Sequence, residues 1–190
     1  MKVEKTIIEG VYIVTPKTFG DNRGWFMESY SANRYKEYGI MADFVQDDHS
    51  FNAQKGTLRG LHFQLNPKAQ AKLVRVIRGA MIDVVVDIRK GSPTYKKWIS
   101  VELSAENKKQ IYMPRGMAHG YVTLTDNVEV NYKVDNFYAP ETESGIMYND
   151  PELNINWGID NPILSEKDKK MPLFKDSIIN FVYGEDEWKY

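Results

Sequence analysis

The strictest constraint on this chain is an alternation of residue type between Lys72 and Arg89. Lys72, Val74 and Val76 share one face of an extended segment, and Ile82, Val84, Val86 and Ile88 share one face of the next, with Gly79 between them. Side chains two residues apart point the same way in a β-strand, so both segments read as strands, and Gly79 reads as the turn of a hairpin. The pattern recurs at Val128, Val130, Tyr132 and Val134, which points Tyr132 the same way as three valines. Further strands are expected at Ile7 to Val14, Trp25 to Tyr30, Trp98 to Leu103 and Gln110 to Met113, with a Gly- and Asx-rich turn at Phe19 to Gly24. Ser31 to Gly39 reads as a short helix ended by its glycine. Many short strands without long amphipathic helices between them predict a mainly β, antiparallel sandwich, barrel or jelly roll.

At 190 residues and 42% hydrophobic content, the chain is expected to form one domain, residues 1–190. Residues 171–190 are expected to be a peripheral tail, with short helical turns after Ser165 packed on the outside. Its 25 basic and 26 acidic side chains leave a net charge of -1, which gives no general attraction to nucleic acid or an anionic membrane. No cysteine is present, which removes disulfides and thiolate chemistry and suits a reducing cytoplasm. The N-terminus lacks an apolar run of signal-peptide length, and the most apolar segment, Met81 to Ile88, is broken by Asp83 and Asp87. A cytoplasmic protein with no membrane or nucleic-acid partner is expected.

The chemistry concentrates in Gly56 to Gln64, where Arg59, His62 and Gln64 interrupt a run that otherwise reads as a buried strand. A buried polar group costs on the order of 1–3 kcal/mol unless it finds partners, so three in one strand point to a site rather than to a single satisfied core histidine. A metal-binding β-barrel would present His-x-His with a carboxylate, but Gln64 stands where the second histidine would be, and no metal is expected. The remaining chemistry is general acid and base catalysis, with His62 the natural proton acceptor at neutral pH. Lys72 among valines either faces an anion or reaches water from a strand end, and Tyr132 is either a core aromatic or a proton donor in a cavity. Arg23, Arg59 and Arg115 each adjoin a glycine; Arg115 reads as a surface salt bridge, while the other two suit a phosphate.

The blocks Gly20-Asp21-Asn22-Arg23-Gly24-Trp25-Phe26, Phe44-Val45-Gln46-Asp47-Asp48-His49-Ser50, Gly56-Thr57-Leu58-Arg59-Gly60-Leu61-His62-Phe63-Gln64, Pro114-Arg115-Gly116-Met117-Ala118-His119-Gly120, Tyr148-Asn149-Asp150-Pro151 and Leu164-Ser165-Glu166-Lys167-Asp168 occur in this order. Together they resemble the dTDP-4-dehydrorhamnose 3,5-epimerases. The resemblance implies a cupin-type double-stranded β-helix (jelly roll) with short peripheral helices, acting as a homodimer with no cofactor or metal. It implies an isomerase that inverts C3 and C5 of dTDP-4-dehydro-6-deoxy-D-glucose, on the way to L-rhamnose for cell-surface polysaccharide. His62 would be the base with Asp168 its charged partner, Lys72 would face the C4 oxygen, and Tyr132 would return a proton from the opposite side. Arg23, Glu28, Gln46, Asp48, Arg59, His119, Glu143 and Lys167 would line the nucleotide-sugar site, with Tyr138 stacked on thymine. A mono-epimerase acting at C3 or C5 alone, and a non-catalytic cupin that binds sugar nucleotides, are the alternatives.

Arg59 and His62 have opposite strand parity, so both can face one ligand only if the strand is irregular near Gly60. The first strand, Ile7 to Val14, is the expected element of exchange between subunits.

Overall fold

The computed structural model describes residues 1–185. Its strands run in chain order as β1 (Lys2–Lys5), β2 (Tyr12–Thr15), β3 (Thr18–Asp21), β4 (Gly24–Met27), β5 (Gln46–Asn52), β6 (Leu58–Gln64), β7 (Lys72–Arg78), β8 (Ala80–Asp87), β9 (Trp98–Ser104), β10 (Gln110–Met113), β11 (Met117–Thr123), β12 (Val128–Val134) and β13 (Glu143–Gly145). One helix, α1 (Ala32–Lys36), and three-residue 3-10 turns complete the elements. The strands form a six-stranded sheet in the order β1-β2-β10-β7-β12-β5 and a five-stranded sheet in the order β13-β6-β11-β8-β9. All pairings within them are antiparallel, as a jelly roll requires.

The alternation from Lys72 to Arg89 does yield two strands, but they do not form a hairpin. β7 belongs to the six-stranded sheet and β8 to the five-stranded one. Only Gly79 separates them, which is shorter than the two-residue loop that a hairpin needs, so the chain crosses from one sheet to the other there. Gly79 has φ 77°, and a Cβ would lie 2.5 Å from Thr125 Oγ1 and 2.9 Å from Val128 Cγ2. Val74, Val76, Val85, Ile111, Met117, Val128 and Val130 pack between the sheets. Val84 and Val86, on the other face of β8, and Ile88 just after it pack outside with Trp157, Phe174 and Phe181.

Two other expectations change, those for the first strand and for Arg115. Ile7 to Val14 is not one strand: Ile8 and Val11 are fully buried in a loop between β1 and β2, so the apolar run reports burial rather than extension. The turn at Phe19 to Gly24 belongs to a separate hairpin, in which β3 pairs with β4 across Asn22 and Arg23 and joins neither sheet. Arg115 is no surface ion pair: its guanidinium lies 2.9 Å from the buried Asp135 carboxylate with its side chain only 12% exposed. The segment after Ser165 forms the expected short turns, Asp168–Lys170 and Phe174–Asp176, yet Phe174 and Phe181 are core residues, and Tyr183 N–H donates to the Lys90 carbonyl. Of the expected tail 171–190, residues 186–190 lie outside the described residues.

Candidate active site

A cavity of about 290 Å³ opens between the two sheets. β6 of one sheet contributes His62 and Gln64; facing strands of the other contribute Lys72 (β7), Tyr132 (β12), Gln46 and Asp48 (β5). Tyr138 and Glu143 close its mouth. A recess of about 130 Å³ shares His62, Lys72 and Tyr132 with it and is otherwise lined by Ser50, Arg59, His119, Gly120 and Tyr121.

The irregularity near Gly60 is present. His62 pairs with His119 and Arg59 with Tyr121, so Gly60 and Leu61 together face the single residue Gly120. Gly60 adopts φ 121°, and a Cβ on it would lie 2.5 Å from Gly120 Cα and 2.7 Å from the His119 carbonyl oxygen. The Gly60–Leu61 peptide is cis. This two-for-one bulge resets the parity of the strand. Leu58 and Phe63 point to the outer core, while Arg59 and His62 both line the recess.

His62 Nε2 lies 2.6 Å from Asp168 Oδ1, with the Asp168 side chain 3% exposed. Asp168 also accepts from Ser165 Oγ at 2.7 Å. Burial works against the Asp168 charge, but the bonds from His62 and Ser165 outweigh it and hold the carboxyl below its ordinary range. With Nε2 turned to Asp168, Nδ1 is the ring nitrogen left for a ligand. Across the cavity, Lys72 Nζ sits 5.9 Å from the Tyr132 ring centroid. Burial lowers the Lys72 pKa, against opposing pulls from Asp48, Glu143 and Asp83. Burial, with the nearby Asp48 charge, pushes the Tyr132 phenol up to about 12, so it stays protonated at neutral pH.

At the mouth, Glu143 accepts from Tyr138 Oη at 3.0 Å and pairs with Lys167. Burial opposes ionisation of Glu143, but those two partners prevail and lower its pKa. Gln46 Nε2 donates to both Asp48 oxygens at 2.9 and 3.0 Å. Gln64 is a tie between loops, donating to the Lys68 carbonyl at 2.6 Å and accepting from Ala139 N–H at 2.8 Å. Arg23 and Glu28 are not at this cavity: Arg23 pairs with Asp21 on the β3–β4 hairpin, and Glu28 lies 3.4 Å from Arg34.

The sequence profile described as dTDP-4-dehydrorhamnose 3,5-epimerase matches residues 5–176. The chain belongs to that family. It is 51% identical over 178 residues to a dTDP-4-dehydrorhamnose 3,5-epimerase of Shigella flexneri, covering 93% of this chain and 98% of the relative. The fold is similar to the crystal structure of a dTDP-4-dehydrorhamnose 3,5-epimerase from Bacillus anthracis with TDP and PPi bound (TM-score 0.89, 48% identity, 90% of this chain and 98% of that one). It is also similar to a dTDP-6-deoxy-D-glucose-3,5-epimerase from Legionella pneumophila in complex with dTDP-4-keto-L-rhamnose (TM-score 0.86, 46% identity, 90% and 92%).

Within this epimerase fold, one feature escaped the sequence reading. Asp83 Oδ2 lies 2.7 Å from His119 Nε2, so a second carboxylate–imidazole pair stands behind the recess that His119 lines. Burial raises the Asp83 pKa, against the pull of His119, and Oδ1 has no hydrogen-bond partner. The signal was an aspartate inside the apolar run Met81 to Ile88; its partner sits on β11, where His119 is opposite Val85, one diagonal away. Among the described residues, no three His, Cys, Asp or Glu side chains cluster as metal ligands, and no helix is long and apolar enough to cross a membrane.

Proposed function

We propose that this protein inverts C3 and C5 of dTDP-4-dehydro-6-deoxy-D-glucose to give dTDP-4-dehydro-L-rhamnose, using its own side chains and no cofactor. The observation that carries the reading is one cavity with His62 on one sheet and Lys72 with Tyr132 on the other. A hydrogen beside the C4 ketone is weakly acidic, and its removal leaves charge on the carbonyl oxygen. His62 Nδ1 takes the proton, the C–H electron pair becomes the enolate, and Lys72 Nζ stabilises the oxygen. Tyr132 then returns a proton to the opposite face of the same carbon, the enolate collapses to the ketone, and the phenolate is reprotonated from the imidazolium through solvent. Asp168 holds the His62 tautomer and stabilises its imidazolium, as the carboxylate of a catalytic triad does. A positioned base contributes about 10²–10⁴ and a preorganised oxyanion donor about 10²–10³ in rate, so these groups supply much of the acceleration. Gln46, Asp48, Arg59, His119, Tyr138, Glu143 and Lys167 hold the rest of the nucleotide sugar, with Tyr138, 56% exposed at the mouth, as the stacking platform for thymine.

The working unit in this reading is a homodimer. The β3–β4 hairpin leaves Phe19, Trp25 and Phe26 more than half exposed, and Arg23 on it meets nothing of its own cavity. β1 and β2 are already paired within the chain, so the hairpin, rather than Ile7 to Val14, is the arm that reaches a second copy and brings Arg23 and Glu28 to its nucleotide. Mixing an inactive H62N variant with an inactive R23A variant then restores activity through hybrid dimers; no restoration under conditions of proven subunit exchange refutes the arm's role. The cytoplasmic location expected from the sequence belongs to the same proposal.

The reading is tested by incubating the protein with the 4-keto sugar nucleotide in D₂O and following C3 and C5 by NMR. Deuterium at both carbons with the L-rhamno product supports it. Exchange at one carbon alone makes the protein a mono-epimerase, and binding without exchange makes it a binding protein.

A further inference from the structure

Arg59 projects from β6 into the recess, and its only protein partner among the described residues is a neutral amide. Its Nε donates to Asn52 Oδ1 at 2.8 Å. No carboxylate lines the recess, Asp83 lying buried behind His119, and none of the described carboxylates forms an ion pair with Arg59. Asn52 is itself 2% exposed at the end of β5 and held at both ends of its amide. Its Nδ2 donates to the Val128 carbonyl at 3.2 Å, which can only accept. The amide oxygen therefore faces the two donors, Arg59 Nε and, at 3.4 Å, Tyr121 Oη. Tyr121 Oη lies in turn 3.2 Å from Ser50 Oγ. The amide orientation is fixed by these partners, and with it the direction of the guanidinium.

A guanidinium whose Nε–H is occupied keeps the two terminal nitrogens, which form the edge that grips a phosphate through two parallel hydrogen bonds. A carboxylate at the same place would hold the side chain equally well but neutralise it and repel the incoming anion. We infer that Asn52 is a positioning residue that aims Arg59 while leaving its charge uncompensated, so that the guanidinium grips the diphosphate of the nucleotide sugar beside the ring held by His62, Lys72 and Tyr132. This rests on the proposed function only in placing the diphosphate at Arg59.

The test uses the full chain with dTDP as the probe, in isothermal titration at several salt concentrations. Asn52→Asp, which is nearly isosteric, is expected to weaken dTDP binding by about 10- to 100-fold, the range for losing a charge-assisted contact, and to flatten its salt dependence. Asn52→Ala, which frees Arg59 without opposing it, loses less. Binding by Asn52→Asp as tight as wild type overturns the inference. A merely structural role is separated by the double variant: with Arg59→Ala already in place, Asn52→Asp costs nothing further if Asn52 acts through Arg59, and an undiminished cost in that background overturns the inference too. If Arg59→Ala alone binds dTDP as wild type does, the diphosphate lies elsewhere, and the placement falls together with the role of Asn52.

Discussion

Replacing Asp168 by Asn keeps the size and shape of the side chain and removes its charge from beneath His62. In the wild type the contact is 2.6 Å, with Asp168 buried and His62 28% exposed. With charge centres roughly 4 Å apart and an effective dielectric of about 20, the carboxylate favours an imidazolium by about 4 kcal/mol, or about 10³ in rate if the whole interaction is realised at the transition state. Partial exposure of the imidazole trims this, so we predict a kcat lower by about 10²–10³ with KM changed by less than about threefold. The assay is the initial rate of deuterium entry into the sugar by NMR, with dTDP affinity as the binding control. The charge also has a stability signature. The folded Asp168 pKa lies below its ordinary value, so its stabilisation is present above about pH 4 and is lost as pH falls through the folded pKa. Urea denaturation between about pH 3 and 5 should therefore show a steeper loss in the wild type than in D168N. A variant that retains kcat within about threefold, or that loses only KM, refutes the dyad, because the carboxylate would then contribute nothing to the charge that develops on His62.

Lys72→Met is predicted to lower kcat by about 10²–10³ while raising thermal stability. The folded Lys72 pKa lies below its unfolded value, so the ammonium costs stability at neutral pH that a methionine does not; an active or a destabilised variant contradicts this. Wild-type activity should also fall as pH rises through that lowered lysine pKa, ahead of ordinary lysine titration, which a rate profile in alkaline buffer checks. Ser165→Ala removes the 2.7 Å bond to Asp168 and should cost about tenfold in kcat, well short of D168N; an equal or larger loss contradicts the hierarchy. Gly60→Ala meets backbone of β11 at 2.5 Å, which cannot yield like a flexible side chain, and is predicted to destabilise by about 3 kcal/mol or more in urea; a neutral effect would remove the bulge from the account.

The strands were legible because period-two alternation is local, whereas which strand pairs with which is not. A glycine between two alternating runs looks the same whether the chain folds back or crosses to a second sheet, and only the one-residue spacing at Gly79 distinguishes them. The apolar loop Ile8 to Val11 misled for a related reason: burial marks apolar residues regardless of backbone shape. In the site, Arg59 and His62 declared themselves by breaking an apolar strand, and their parity conflict foretold the bulge at Gly60. Asp83 broke β8 in the same way, but its partner His119 lies 36 residues away, and nothing local connects them. Phe174 and Phe181 lie in a stretch without strand or helix periodicity, so nothing local showed that each fills the outer core. Arg23 and Glu28 were read as one site with the rest, yet Arg23 pairs with Asp21 on the β3–β4 hairpin and Glu28 with Arg34, away from the cavity.

If the base and the acid address opposite faces of one sugar ring, replacing Tyr132 by Phe in D₂O uncouples proton removal from inversion. His62 should still remove the proton in this variant, so deuterium enters the starting 4-keto sugar with retention while inversion at the affected carbon falls by at least about 10². Inversion at the wild-type rate, or the loss of exchange together with inversion, would contradict it.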